Sequence, residues 1–198
     1  MPMTIQDLNI FFENQFKAYL KTFSDLSDGL VADNRKAYCF DDIKNHYPNK
    51  ALIASADAMM MTRDRVYLIE FKSGFHRNED LENNKSKIES QRRSIRLKAC
   101  ESYIFLEKVI CDGNKLNFKK TYMAVIDAKD DYKGTLSEFY INHGIEGSAY
   151  SEKAKLLKDM TEKSLIHYRK MIGGKWIMYD EIIVVYDYEF VEAIGECK

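Results

Sequence analysis

Two apolar segments separated by a polar turn constrain the fold of this chain more than any other feature. Residues 51–61 and 65–73 each have the apolar content of a β-strand, and 62–65 between them is polar and charged. If this turn has two central residues, Asp57 lies directly opposite Glu70 on the neighbouring strand. A longer loop would shift that register by a residue or two, because the central pair is not one that two-residue turns favour.

The same pairing brings two carboxylates and a lysine to one edge of the predicted sheet. Glu70 and Lys72 are two residues apart, so they share one face, and Ile69 and Phe71 point to the other. Directly opposed residues have Cβ atoms about 5 Å apart, close enough for Asp57 and Glu70 to hold one divalent ion. A second interpretation stays open, in which these side chains form an ion-pair cluster at a strand edge.

This arrangement resembles the PD-(D/E)XK nuclease superfamily, in which an aspartate precedes an acid-x-Lys triplet on the next strand. The superfamily pattern falls on Asp57, Glu70 and Lys72, and its usual proline before the aspartate is Ala56 in this chain. The resemblance covers approximately residues 1–130. It implies an α/β fold of the restriction-endonuclease-like type, with three layers and a central mixed β-sheet flanked by helices. The implied activity is metal-dependent hydrolysis of phosphodiester bonds, in DNA more than in RNA.

The resemblance also implies roles for the residues of the motif. The carboxylates of Asp57 and Glu70 and the backbone carbonyl of Phe71 are hard oxygen ligands that suit Mg²⁺ or Mn²⁺. A bound ion would activate water and polarise the phosphate. Lys72 would either stabilise the charge that develops on the phosphate or orient or deprotonate the attacking water.

Glu13 is a further candidate metal ligand. The spacing of the apolar residues predicts a helix over 4–24, and Glu13 is the acid in its interior. In many superfamily members a glutamate on the first helix reaches the metal site, which would give Glu13 that role here. The alternative is a surface glutamate beside Lys17, four residues further along the helix.

The predicted helix over 79–110 is locally basic. Residues 85–98 contain six basic residues and one acid, although the net charge of the chain is −1. Such a patch is compatible with phosphate binding, and a solvated helix face is the alternative. Lys98 could orient a phosphate or neutralise Glu101. The candidate nucleic-acid-binding residues are Arg92, Arg93, Arg96 and Lys98.

Polar residues flank the buried apolar stripe of this predicted helix, and such residues can point towards the active edge of the sheet. In several branches of the superfamily one polar residue does so. The string 96–102 is also similar to a helix motif in small uncharacterised bacterial proteins that carry Glu-Phe-Lys before it. The flanking residues are Gln91, Lys98, Glu101 and Ser102.

The acid-x-Lys triplet is short, and Asp127-Ala128-Lys129 is the nearest rival because it follows an apolar strand over 122–127. Its upstream acid, Asp112, lies in a turn signature rather than in a strand. The remaining predicted elements are a strand at 35–44, a short element at 135–141, a helix at 151–172, a strand at 181–186 and a helical turn at 188–194.

The length of 198 residues suits one domain, 1–198, with no apolar run long enough to span a membrane. The N-terminus has no secretion signal, and the four cysteines have no zinc-ligand spacing, so we expect a cytoplasmic protein without a membrane partner.

A homodimer is possible because superfamily nucleases often use two active sites to cut both strands. One alternative function is a catalytically silent nuclease-fold protein that binds nucleic acid or a protein partner. Another is an interaction protein whose acidic C-terminal segment docks a partner.

Overall fold

A six-stranded mixed β-sheet lies at the centre of the protein, and helices pack on both of its faces. The computed structural model describes residues 2–48, 53–73, 81–127, 152–169 and 178–195. The predicted three-layer α/β architecture with a central mixed sheet is therefore confirmed.

The strands follow one another across the sheet in chain order. The first four pair antiparallel, and the last two each pair parallel with the strand before them. Parallel neighbours need a long crossover connection, and a helix lies in each of the two crossovers. The strands are β1 (Leu20–Thr22), β2 (Lys36–Cys39), β3 (Ala58–Met61), β4 (Arg65–Lys72), β5 (Lys119–Ile126) and β6 (Glu181–Tyr186).

The described helices vary from one turn to many. The helices are α1 (Ile5–Gln15), α2 (Phe23–Leu26), α3 (Phe40–His46), α4 (Leu81–Ile104), α5 (Glu152–Arg169) and α6 (Phe190–Gly195). The two longest of them, α4 and α5, connect the parallel strands and pack against each other. None of these helices has both the length and the apolar character that spanning a membrane would require.

The predicted register of the central hairpin is confirmed. Ala58 pairs with Ile69 and Met61 with Val66, and the amide of Thr62 donates a 2.8 Å hydrogen bond to the carbonyl of Arg65. A turn with two central residues therefore closes the hairpin. When the same register is extended by one residue beyond the Ala58–Ile69 pair, Asp57 lies opposite Glu70.

Two hydrophobic cores lie on opposite faces of the sheet. In β4, Val66 and Leu68 belong to the core under α1, α4 and α5, whereas Tyr67, Ile69 and Phe71 belong to the core under α2 and α6. Because side chains alternate along a strand, Glu70 and Lys72 face the α4 side.

The prediction of one helix over 4–24 is wrong. Helix α1 begins at an N-cap, Thr4, whose hydroxyl accepts from the amide of Asp7, and it ends at Gln15. A short 3₁₀-helix at Lys17–Tyr19 and strand β1 follow. Phe16, Tyr19 and Leu20 contact the same core as α1, so apolar spacing did not distinguish a continuous helix from a chain that turns into an edge strand.

The predicted strand at 35–44 is shorter than expected, because α3 begins at Phe40. Phe40 and Ile43, three residues apart, are both fully buried, which is helical spacing. Two acids in the first turn, Asp41 and Asp42, interact favourably with the helix dipole.

The later elements agree with the predictions to within a few residues. The predicted helix at 79–110 is α4 followed by π-helical turns at Phe105–Ile110. The strands at 122–127 and 181–186 and the helix at 151–172 correspond to β5, β6 and α5, and a 3₁₀-helix at Asp187–Glu189 precedes α6 at the predicted terminal turn. The predicted element at 135–141 lies outside the described residues.

Candidate active site

Four charged side chains meet on the α4 face of the sheet, where β3 begins and β4 ends. Asp57 precedes β3, Glu70 and Lys72 belong to β4, and Lys98 comes from α4. The nitrogen Nζ of Lys98 lies 2.9 Å from Oδ1 of Asp57 and 2.9 Å from Oε2 of Glu70. Nζ of Lys72 lies 2.5 Å from Oε1 of Glu70. We call these four residues the carboxylate–lysine cluster.

Glu70 is the buried member of the cluster, with 0 % of its surface exposed. Burial raises its pKa to about 7, and the charge of Asp57 adds to the increase. Lys72 and Lys98 act in the opposite direction because their ammonium groups stabilise the carboxylate. Glu70 thus binds a proton more readily than an ordinary surface glutamate does.

Asp57 is held in place through both carboxylate oxygens. Oδ2 accepts a 2.7 Å hydrogen bond from the amide of Phe71, and Oδ1 accepts from Lys98. The carbonyl of Asp57 accepts a 3.1 Å bond from the amide of Phe40. These bonds place the Asp57 carboxylate beside the β4 backbone, next to Glu70.

Lys98 joins α4 to both carboxylates. Its side chain is 20 % exposed. Burial alone would lower the pKa of Lys98, but the nearby charges of Glu70 and Asp57 outweigh it and raise the pKa above the ordinary lysine value. The sequence left open whether Lys98 orients a phosphate or neutralises Glu101. In the structure Lys98 neutralises Asp57 and Glu70.

Helix α4 also holds the segment that leads into Asp57. The buried hydroxyl of Ser102 accepts a 2.7 Å hydrogen bond from the amide of Ala56, and the Glu101 carboxylate accepts from the amide of Ala54. Lys98, Glu101 and Ser102 are spaced i, i+3 and i+4, so they share one helix face. Three of the four polar residues that were predicted to flank the buried stripe thus contact the active edge.

The cluster has a point at which one cation contacts both carboxylates. Because a single nitrogen lies 2.9 Å from an oxygen of Asp57 and of Glu70, those two oxygens are separated by at most twice that distance. One Mg²⁺ with ligands near 2.1 Å bridges oxygens up to about 4.2 Å apart, so the two carboxylate oxygens lie within that separation or within about 1.6 Å of it. The donor set therefore fits a hard divalent ion, since Mg²⁺ is commonly bound through one or two carboxylates, with water and substrate oxygens completing its shell.

The described part of the chain contributes two carboxylates rather than three to this point. Within the described ranges, no group of three or more His, Cys, Asp and Glu side chains is arranged to hold a metal. Glu13 is exposed on α1 and does not join Asp57 and Glu70 in such a group. Its charge instead acts on Tyr38, whose pKa is raised first by burial and then by Glu13. The structure thus gives no support to Glu13 as a metal ligand.

Comparison of the chain with protein-family models, with curated proteins and with solved structures found no match. Membership of the PD-(D/E)XK superfamily thus remains a prediction, based on the residues Asp57, Glu70 and Lys72.

The three predicted phosphate-binding arginines differ in their surroundings. Arg93 is exposed, Arg92 forms a 2.6 Å ion pair with Glu89, and the Arg96 guanidinium lies 5.9 Å from the ring centroid of Tyr168 on α5. A groove of about 370 Å³ separates α4 from α5 at this point. It is lined by Glu89, Arg92, Arg96, Met160, Lys163 and Ser164.

An acidic groove of about 250 Å³ adjoins the carboxylate–lysine cluster and was not predicted. Asp57 is one of its lining residues, so the groove reaches the candidate metal site. Its acids come from three separate segments, which is why no local sequence pattern indicated it. The lining residues are Lys21, Asp25, Leu26, Cys39, Asp41, Asp42 and Asp57.

The rival triplet differs from the candidate site in the setting of its upstream acid. Asp112 has a positive φ of 49° and is followed by Gly113 with φ of 68°, which confirms the predicted turn. Asp127 is buried at the end of β5, and its amide donates a 2.8 Å bond to the carbonyl of Lys72. The other two residues of this triplet lie outside the described ranges.

Proposed function

We propose that this protein is a metal-dependent nuclease that hydrolyses phosphodiester bonds. One observation carries the proposal: Asp57 and Glu70 face each other across β3 and β4 with one cationic nitrogen 2.9 Å from an oxygen of each. A pair of carboxylates that converges on one cation, with a lysine two residues after the second acid, suits metal-assisted phosphodiester hydrolysis. DNA is favoured over RNA by the resemblance alone.

Asp57, Glu70 and the backbone carbonyl of Phe71 are the groups that would hold Mg²⁺ or Mn²⁺. When bound, such an ion supplies a more acidic water and a Lewis acid for the phosphate oxygen. The side chain of Asp57 is 22 % exposed and that of Glu70 is buried, so substrate would approach the cluster from the Asp57 side.

Lys72 is placed to act on the substrate rather than on the metal. An ammonium group offers donors and no lone pair, so it is not a metal ligand. Its side chain is 14 % exposed, and its nitrogen lies beside Oε1 of Glu70. In that position it would stabilise the charge developing on the phosphate or orient the attacking water.

Nucleic acid is the proposed partner, and the exposed Arg93 with Arg92 and Arg96 is the proposed phosphate-contacting surface. Phosphate contacts by Lys and Arg provide most of the sequence-independent affinity for nucleic acid. We further propose a homodimer, which would present two active sites to the two strands of a duplex. A cytoplasmic location is also proposed, and the free thiols of Cys39, Cys100 and Cys111 support it.

One observation favours a second function, that of a nuclease-fold protein that binds nucleic acid or a protein without cutting. The two lysines of the carboxylate–lysine cluster balance its two carboxylates, so the cluster is neutral without a metal. Such a cluster could be purely structural. Metal dependence distinguishes the two functions, because only the enzyme requires Mg²⁺ or Mn²⁺ for turnover.

The test is incubation of the purified protein with circular DNA, linear DNA and single-stranded RNA, each with Mn²⁺, with Mg²⁺ and with EDTA. The proposal expects cleavage of at least one substrate that requires the metal and is abolished by EDTA. Binding of nucleic acid with no cleavage under any metal condition would support the silent alternative instead.

A further inference from the structure

Lys98 occupies the position between the two carboxylates that are the candidate metal ligands. Its nitrogen is 2.9 Å from Oδ1 of Asp57 and 2.9 Å from Oε2 of Glu70, so it bridges the two predicted metal-ligating carboxylates. Lys72 differs in this respect, because its ion pair is with Oε1 of Glu70. The two lysines carry the same charge, but only Lys98 occupies the point between the carboxylates.

An ammonium group and a metal ion cannot share this point. An ion with oxygen ligands near 2.1 Å would lie between the same two oxygens, inside the contact distance of the Lys98 nitrogen. The two cations would also repel each other at that separation. Occupation by one therefore requires that the other leaves.

The surroundings permit Lys98 to leave. It has a flexible four-carbon stem, and its side chain is 20 % exposed, so its ammonium can reach water without rearrangement of α4. The groove that Asp57 lines also carries Asp25, Asp41 and Asp42. Lys21 pairs with Asp42 and Lys44 pairs with Asp41, which balances part of this negative charge. The remaining excess of acids favours the approach of cations to the site.

We propose that Lys98 is an internal competitor of the divalent metal, so that the ion enters the site only as the Lys98 ammonium withdraws from Asp57 and Glu70. This inference rests on the proposed metal-dependent function. It predicts that metal affinity in the wild-type protein is reduced by the ion pairs that Lys98 forms, and that removal of Lys98 increases that affinity.

The experiment measures Mn²⁺ binding by isothermal titration calorimetry to the wild-type protein, Lys98→Met and Lys72→Met. Both variants remove one positive charge next to Glu70, so a general electrostatic effect would increase affinity equally in both. Competition for one position predicts a larger increase in Lys98→Met, roughly tenfold or more over wild type, which corresponds to removal of one interaction of ordinary hydrogen-bond strength. Glu70→Gln serves as the variant with a damaged metal site.

Lys98→Arg provides a second variant in case Lys98→Met unfolds, because it keeps the charge and pairs with carboxylates bidentately. It is expected to bind Mn²⁺ more weakly than wild type. Circular dichroism of each variant checks its fold before titration.

The outcomes separate this inference from the proposed function. Tighter binding to Lys98→Met than to Lys72→Met, or weaker binding to Lys98→Arg than to wild type, supports competition. Binding that is unchanged in Lys98→Met and Lys98→Arg, or that increases equally in Lys98→Met and Lys72→Met, overturns the inference and leaves the metal-dependent function standing. Absence of Mn²⁺ binding in wild type and in folded Lys98→Met overturns both.

Discussion

The hydroxyl of Ser102 accepts a 2.7 Å hydrogen bond from the amide of Ala56, and both residues are buried completely. This bond joins α4 to the residue that directly precedes Asp57. The position of the Asp57 carboxylate is therefore determined by a helix as well as by the neighbouring strand.

Ser102→Ala is expected to destabilise the protein, because it leaves the buried amide of Ala56 without its acceptor. An unsatisfied buried group costs about 1–3 kcal/mol of the free energy of unfolding. Urea denaturation of the metal-free protein measures the decrease. Ser90→Ala is the matched control, since Ser90 is exposed on the same helix. Equal free energies of unfolding for the two variants would contradict the importance of the Ser102 hydrogen bond.

Lys72→Ala is expected to remove most cleavage activity and to leave folding and metal binding largely intact. Phe71 anchors β4 in the opposite core, and Lys98 remains as a counter-ion for Glu70. Removal of a positioned charge from the transition state corresponds to a decrease on the order of 10²–10³ in rate. Single-turnover cleavage with Mn²⁺ tests this, with Lys119→Ala at the start of β5 as the control. A wild-type rate for Lys72→Ala would exclude the assigned role.

Glu70→Ala, in contrast, is expected to lose metal binding together with activity, because it removes one of the two carboxylates. Calorimetric titration with Mn²⁺ distinguishes it from Lys72→Ala. Retention of wild-type Mn²⁺ affinity in Glu70→Ala would show that the ion binds elsewhere.

The stability of the metal-free protein is expected to depend on pH through Glu70. Burial, followed by the charge of Asp57, raises its pKa from 4.5 to about 7 in the folded state. Between these values the folded protein retains a proton that the unfolded chain has released, so the contribution of Glu70 to stability is present below pH 4.5 and is lost as pH rises towards 7. The loss is at most about 3 kcal/mol.

Glu70→Gln isolates this effect because the amide does not titrate. The difference in free energy of unfolding between wild type and Glu70→Gln should decrease from pH 4.5 to pH 7 in buffer with EDTA. Parallel pH profiles for the two proteins would mean that Glu70 titrates normally.

Neutralising the basic surface of α4 is expected to weaken nucleic-acid binding and its dependence on salt. Replacing Arg92, Arg93 and Arg96 by Gln should reduce the slope of log K against log salt by about 0.9 for each duplex phosphate that the protein no longer neutralises. Fluorescence anisotropy over a salt series measures the slope. The control replaces the exposed Lys108, Lys115 and Lys119 by Gln. Equal slopes of log K against log salt for the two triple variants would mean that the arginines are only solvated.

The strand register was predictable from the sequence because it depends on local signals. The turn length sets which residues pair, and alternation sets their face, so the approach of Asp57 to Glu70 and the shared face of Glu70 and Lys72 follow from a stretch of 16 residues, 57–72. The three-layer arrangement was predicted from the resemblance.

The partners of Lys98 were not predictable, because they depend on where α4 crosses the sheet. Helical spacing placed Lys98, Glu101 and Ser102 on one face, but it could not show which of them reaches Asp57. Apolar spacing also failed to show that the first helix ends before 16–22, since an edge strand and a helix can bury the same side chains in one core. Sequence separation, rather than weak local signals, is what limited the prediction of the site.

The central claim is that the Asp57–Glu70 pair supports metal-dependent hydrolysis of a phosphodiester bond. Asp57→Asn tests it most directly, since it removes one ligand charge and keeps an oxygen that can accept from the amide of Phe71. Asp64→Asn makes the same change on the exposed hairpin turn at the opposite end of the strands. Single-turnover cleavage with Mn²⁺ should be lost in Asp57→Asn and retained in Asp64→Asn; equal cleavage by the two variants, prepared identically, would contradict the account.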